Sequence, residues 1–283
     1  MIKIGLTGYD GWLGSQVKLG FENRHSIISL DFLTRDYQNN IMIEEIPDID
    51  WVFHFGAKTS IVDSFNDPIQ INKQNVISTL SALEIAHKKN AKFLYLSSYI
   101  YGEPKYSPLD EDHPIAPNNP YMISKWIGEE ACNRISKYMN IPCTIFRPFN
   151  IYGPVIKKGR LISDLLENAL SQKDLILNDK NPIRDYIYID DFIEILRKMV
   201  CKNNFMTGVY NIGSGFSYSN FEVAKLVQNL SKKKLEIIKL DNPRKNDISV
   251  CTVNNDKIKN ELDWEPSFDL KKGLSKIFKS LKL

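Results

Sequence analysis

The chain has 283 residues, 43% of them hydrophobic and 25% charged, with a formal net charge of +3. That length suits one large domain, or a domain with a smaller companion, and a charge this slight argues against nucleic acid as a partner. The four cysteines, Cys132, Cys143, Cys201 and Cys251, show no metal-ligand spacing, so reduced thiols in a cytoplasmic protein without a metal site are expected.

The first residues already alternate as a buried strand, Ile2, Ile4 and Leu6 against Lys3 and Gly5, which leaves no room for a signal peptide. No apolar run reaches membrane-spanning length, so no membrane partner is expected. Thr7-Gly8-Tyr9-Asp10-Gly11-Trp12-Leu13-Gly14 follows, then a helical pattern through Val17 and Leu19. A strand, a glycine-rich turn and a helix in that order place backbone N–H groups at a helix start, where a pyrophosphate can bind. The spacing is GxxGxxG rather than GxGxxG, and a glycine-rich turn without a ligand is the plain alternative. Residues 8 and 11 to 14 (Gly8, Gly11, Trp12, Leu13 and Gly14) form the expected cofactor loop.

A second strand, Ser26 to Leu30, ends on Asp31, at the distance expected for the acid that binds an adenosine ribose. A carboxylate there repels a 2′-phosphate and favours NAD over NADP, although Arg35 close behind softens that preference. Ile41 to Ile46 reads as a short third strand, and Trp51 to Phe55 as a clearer one running into Gly56-Ala57, where small residues let the backbone lie against a cofactor. His54 within that strand reads as a core residue rather than a catalytic one. Ile69 to Lys89 has helical spacing through Val76, Leu80 and Leu83. Phe93 to Leu96 is the next buried strand and delivers Ser97 and Ser98 to its C-terminal end, the edge where ligands bind in an open α/β sheet. Asn119-Pro120 reads as an N-cap with proline at the first helical position. On the helix that follows, Tyr121 and Lys125 share a face. A fixed ammonium favours the phenolate, so a tyrosine pKa of roughly 10 should fall towards the operating pH, as a general acid/base requires. Taken alone, such a pair also describes an ordinary exposed helix face.

With Ser97-Ser98-Tyr99-Ile100-Tyr101-Gly102 and Tyr121-xxx-Lys125, the chain resembles an extended short-chain dehydrogenase/reductase of the NAD-dependent sugar-nucleotide epimerase/dehydratase family. The likeness runs nearly end to end. It includes Gly8-xx-Gly11-xx-Gly14, His54-Phe55-Gly56-Ala57, Asn75-Val76, the run from Arg147-Pro148 through Asn150 to Gly153-Pro154, the run from Arg184 to Asp191, Tyr210 to Gly213, Arg244-xx-Asp247 and Trp264-Glu265-Pro266.

The resemblance implies a doubly wound, Rossmann-like parallel sheet in residues 1–148, rejoined by part of 184–205, and a smaller α/β substrate domain in 149–283. It implies bound NAD, contacted also by Phe55, Gly56, Ala57, Asn75 and Pro148, with Tyr121 as acid/base and Lys125 on the nicotinamide ribose. Ser97 matches the residue that hydrogen-bonds the reacting sugar hydroxyl. Asn150, Arg184 and Arg244 match positions that hold a nucleotide diphosphate, a task suited to the planar arginine fork. For Arg184 the alternative is an ion pair with Asp185 or Asp190, and for Arg244 a solvated loop charge.

The dehydratases of this family carry Asp-Glu directly after the active-site Thr; here Ser98 and Tyr99 stand there, and neither does carboxylate chemistry. The glutamate that decarboxylases carry in this stretch is missing too. The resemblance therefore implies a nucleotide-sugar epimerase acting at C4. The alternatives are a 4-ketoreductase of a deoxy-sugar nucleotide and a non-catalytic dinucleotide-binding relative. It also implies a homodimer through the helix carrying Tyr121 and the long helix before the Ser97 strand.

Overall fold

The computed structural model describes residues 1–22, 24–31, 43–154, 159–202, 205–231, 234–243 and 247–281. These fall into two compact units. The first comprises Met1–Gly102, Ile115–Pro148 and Ile193–Tyr210, and the second Glu103–Pro114, Phe149–Phe192 and Asn211–Leu283.

The first unit contains strands β1 (Lys3–Thr7), β2 (Ser26–Ser29), β3 (Trp51–His54), β4 (Lys92–Leu96) and β5 (Cys143–Pro148) and the first three residues of β9 (Gly208–Ile212), which form a six-stranded sheet in the order β2-β1-β3-β4-β5-β9. The pairings β1/β2, β1/β3, β3/β4 and β4/β5 are all parallel. Strand β3 is buried along its whole length, and only the first residue of β4 is partly exposed, as strands covered on both faces must be. The chain steps from β1 outward to β2 and then returns to the other side of β1 with β3. That reversal opens the crevice beyond the strand C-termini where α/β sheets bind ligands.

Helix α1 (Trp12–Phe21) follows β1, and α2 (Ile61–Asn66) with α3 (Pro68–Lys88) follow β3. Helix α4 (Pro120–Tyr138) precedes β5. Leu83, Ile85 and Cys132 from α3 and α4 pack with Val52, Phe93, Tyr95 and Ile145 of the sheet in one apolar core. Each such side chain contributes about 1.5–3 kcal/mol when fully buried.

Two sequence expectations need correction. Within 41–46, residues 43–46 are described, and Ile43–Glu45 is a 3-10 turn rather than a strand, closed by Ile46 N donating to Ile43 O at 3.1 Å. Strand β1 is already paired on both sides, so no edge beside it remains to recruit that segment. Second, Glu103–Pro114, which the sequence reading leaves inside 1–148, clusters with the second unit; the segment that returns to the first unit is Ile193–Tyr210, which takes in 193–205 of the expected 184–205 and runs on to Tyr210.

In the second unit β8 (Ile183–Tyr188) pairs with β6 (Asn150–Tyr152) and β12 (Val250–Cys251) in parallel and with β10 (Ser217–Ser219) antiparallel. A separate parallel pair joins β7 (Leu175–Leu177) to β11 (Ile237–Lys239). Helices α5 (Leu161–Leu170), α7 (Asn220–Leu230), α8 (Asp256–Leu262) and α9 (Leu270–Ser280) belong to this unit, while α6 (Ile189–Cys201) follows β8. The 103–114 segment is held by backbone bonds: Leu109 N donates to Thr252 O at 2.8 Å, and Asn254 N donates to Leu109 O at 2.7 Å.

Candidate active site

The glycine loop leaves β1 at Gly8, whose φ of +73° lies in the left-handed region. A Cβ at Gly8 would stand 2.9 Å from the backbone nitrogen of Gly56, and one at Gly14 would stand 2.1 Å from Gly8 O. The loop is therefore compressed against both its own helix and the end of β3. Gly11 N donates to Gly8 O at 3.0 Å and caps α1 without a side-chain hydrogen bond. The N–H groups at Trp12 and Leu13 thus open a helix whose cap residue supplies no competing side-chain acceptor, a cradle that fits a pyrophosphate.

Asp31 sits just beyond β2, buried, and its carboxylate accepts hydrogen bonds from Gly8 N and, at 3.5 Å, from Asp10 N. The acid expected at a ribose is thus in contact with the glycine loop. Arg35 lies outside the described residues.

Beyond β3, Phe55 is buried and Gly56-Ala57 is half-buried. Gly56 N donates to Thr7 Oγ1 at 2.9 Å. His54 joins this network: its Nδ1 lies 2.8 Å from Thr7 Oγ1 and its Nε2 lies 3.1 Å from Thr79 Oγ1. Thr79 donates its own proton to Asn75 O at 2.9 Å, so it accepts from Nε2–H, and Nδ1 accepts from Thr7. Burial first, and the nearby Lys125 charge second, push His54 down to about 3. It is a neutral core residue that ties β1, β3 and α3 together.

Asn75, expected at the cofactor, has its side-chain amide fully engaged. Its Oδ1 accepts from Lys58 N at 2.8 Å, and its Nδ2 donates to Lys58 O at 3.1 Å and to Ser124 Oγ at 2.8 Å. Ser124 in turn donates to Tyr121 O at 2.7 Å. Asn72 Nδ2 reaches Pro120 O at 3.1 Å. Helix α3 thereby fixes the first turn of α4, which Asn119 caps by accepting from Met122 N at 2.9 Å.

Tyr121 is half-buried on that turn, while Lys125 one turn on is buried. Lys125 Nζ donates to Leu96 O at 2.7 Å, the carbonyl directly before Ser97. Burial pushes Lys125 down to about 8, against the opposing pull of Cys132 and Glu129 on the same helix. Ser97 is buried at the end of β4, and its Oγ finds no hydrogen-bond partner among the described residues. A buried hydroxyl left unmatched costs stability, and such groups mark places kept for something else. Pro148 ends β5 and is buried.

Sequence reasoning assigned no role to a buried cluster behind these residues. Arg147 donates through Nε to Glu129 Oε1 at 2.9 Å, through NH2 to Oε2 at 2.7 Å, and through NH1 to Tyr101 OH at 3.0 Å. It binds the end of β5 to α4 and to the loop that follows Ser97. A signal was present: Tyr121, Lys125 and Glu129 repeat every four residues on one helix face.

In the second unit Asn150 Nδ2 donates to Asp185 O at 2.9 Å. Arg184 donates to its neighbour Ile183 O at 2.9 Å and pairs with Asp247 at 2.8 Å. The expected alternative partners are engaged elsewhere: Asp185 accepts from Ser214 N at 2.7 Å, and Asp190 pairs with Lys276. Arg244 lies outside the described residues. Among the described residues no cluster of His, Cys, Asp or Glu could hold a metal ion, and no helix is long and apolar enough to cross a membrane.

The sequence matches the NAD dependent epimerase/dehydratase family over residues 5–213. A Methanocaldococcus jannaschii protein with the provisional name UDP-glucose 4-epimerase is 31% identical over 304 residues, covering 98% of this chain and 97% of its own. Arabidopsis thaliana UDP-glucuronic acid decarboxylase 6 is 30% identical over 310 residues, covering 96% of this chain and 87% of its own. Among solved structures, UDP-glucose 4-epimerase of Thermotoga maritima with UDP-glucose superposes with a TM-score of 0.90 at 26% identity, covering all of both chains.

Proposed function

Because the chain belongs to the NAD-dependent epimerase/dehydratase family and is an enzyme of the extended short-chain dehydrogenase/reductase type, we propose that it inverts C4 of a nucleotide sugar by transient oxidation. One observation carries this choice within the family. Ser97 Oγ is buried without a partner at the sheet edge, and the two residues after it are Ser98 and Tyr99. The site has a hydroxyl to hold an alcohol but no adjacent carboxylate to expel water or assist loss of CO2.

The loop at Gly8–Gly14 would hold the NAD pyrophosphate, Asp31 the adenosine ribose, and Lys125 the nicotinamide ribose. Bound there, NAD supplies the oxidising equivalent at C4 and returns it. Tyr121 as phenolate removes the proton of the C4 hydroxyl, with Ser97 Oγ sharing the hydrogen bond. The Lys125 ammonium favours that phenolate. The 4-keto sugar would turn about its diphosphate, gripped by Asn150, Arg184 and Arg244, so that the reducing equivalent comes back to C4 on its opposite face while Tyr121 returns the proton to the C4 oxygen. Holding both ends of the substrate supplies rate through orientation. Arg184 is pre-set for such a grip by Asp247, which fixes one side of its guanidinium.

A homodimer through α3 and α4 belongs to the same reading, supported by the exposed Ile123, Trp126 and Ile127 on α4. Its mass in solution by light scattering tests that.

The activity is tested with a panel of UDP- and dTDP-hexoses, run in both directions and followed by chromatographic separation of the C4 epimers. Interconversion by the native enzyme, with loss of at least about 100-fold in Tyr121→Phe, is the expected result. A Tyr121→Phe protein as fast as the native one would refute the acid/base assignment.

A further inference from the structure

Lys125 is buried, yet its ammonium has no carboxylate within ion-pairing distance among the described residues. Among the described residues it donates a hydrogen bond to Leu96 O at 2.7 Å. What lies against it from the sheet is the ring of Tyr95, whose centroid is 5.0 Å from Nζ. An ammonium over an aromatic face is attracted by the ring quadrupole, most strongly where water is excluded.

The tyrosine is held firmly in that position. It is buried, its hydroxyl donates to the backbone carbonyl of Lys125 at 3.3 Å, and the His54 ring stacks on it at 5.8 Å. Helix α4 carries a notch for it: a Cβ at Gly128 would stand 2.1 Å from the Tyr95 hydroxyl. One aromatic side chain thus contacts the lysine at both ends, ring to ammonium and hydroxyl to carbonyl.

We infer that Tyr95 is a positioning residue for the proposed reaction, using its ring face to keep the desolvated Lys125 ammonium charged and aimed. The other titratable groups around Lys125 give the ring this part. Tyr121, Glu129 and Cys132 share its helix, His54 faces it from β3, and Cys143 reaches it through Cys132 from β5. Glu129 is committed to Arg147, and burial holds the Cys132 thiol well above its ordinary range, hence protonated. His54 is neutral. The inference rests on the proposed function only for its catalytic consequence.

The test replaces Tyr95 by phenylalanine and by pentafluorophenylalanine, which keep the shape while the second reverses the ring's face potential. Lysine labelled with 13C at Cε gives the titration of Lys125, its resonance assigned by its loss in Lys125→Met. Tyr95→Phe should titrate close to the native protein, and the fluorinated side chain should lower the Lys125 pKa by about one unit. The alkaline limb of kcat/KM should move down with it. Identical titration for all three side chains would overturn the inference. A fluorine-dependent shift in a protein without epimerase activity would support the inference and remove the proposed function, and the converse result would do the reverse.

Discussion

Arg147 and Glu129 form a bidentate ion pair sealed from water, with Nε 2.9 Å from Oε1 and NH2 2.7 Å from Oε2. The pair joins the last turn of β5 to the helix that presents Tyr121 and Lys125. Removing one partner leaves a buried charge uncompensated, so Glu129→Leu should cost about 3–5 kcal/mol in urea unfolding. The double variant Glu129→Leu, Arg147→Met should recover most of that, since a well-packed apolar replacement avoids the desolvation penalty. Two single variants whose costs add in the double would show that the pair is not coupled.

Ser97→Ala separates stability from activity. The hydroxyl has no partner among the described residues, so its loss should leave stability unchanged or raise it by up to about 1 kcal/mol. Turnover should fall by about 10- to 1,000-fold, the range for a lost hydrogen bond at the reacting group. Thermal unfolding and steady-state rates on the same preparation check both halves. A loss of stability with full activity would mean the residue belongs to the core.

Gly14→Ala places a methyl group 2.1 Å from Gly8 O, inside contact distance of a backbone that cannot swing aside. The loop must shift, and with it the N–H groups at the start of α1. Dinucleotide affinity should fall by at least about tenfold, equivalent to ~1.4 kcal/mol, measured by calorimetry on protein stripped of cofactor. Unchanged affinity would place the dinucleotide elsewhere.

The pH dependence of stability contains two opposing contributions. His54 is held at about 3, against 6.5 in the unfolded chain. Between those values the unfolded state binds a proton that the folded state refuses. Its contribution is complete above 6.5 and declines on acidification by about 1.4 kcal/mol per pH unit. Asp185 is raised by burial from 3.8 to about 7, so the folded state keeps a proton that the unfolded state releases. Its contribution is complete below 3.8 and is lost as pH rises towards 7. The two slopes cancel between about 3.8 and 6.5. Asp185→Asn removes one of them, so urea unfolding of that variant should weaken more steeply on acidification than the native protein does. Parallel curves would show that Asp185 titrates normally.

The order of strands and helices in the first unit was legible because its periodicities are local: apolar runs for β1, β3 and β4, a cap and proline for α4, glycines at the one turn that is compressed on two sides. The candidate site was legible where a motif is contiguous, as in Ser97 to Gly102 or Tyr121 to Lys125. What the sequence hides is made by pairing across distance. Glu103–Pro114 looks like a polar loop of the first domain, and backbone bonds to Thr252 and Asn254 draw it into the second unit. Arg184 has two acids close by in sequence, yet it pairs with Asp247, brought near when β12 docks on β8. Ile43–Glu45 has strand-like residues but no free strand edge beside β1.

The central claim, a redox cycle that closes on itself, is tested most directly by what the purified protein carries. Denaturing it and separating the released small molecules should yield NAD in about one-to-one ratio with the chain, as expected of a cofactor regenerated in place at every turnover. A protein that releases no dinucleotide and oxidises NADPH stoichiometrically with a 4-keto nucleotide sugar would contradict the account and identify a ketoreductase.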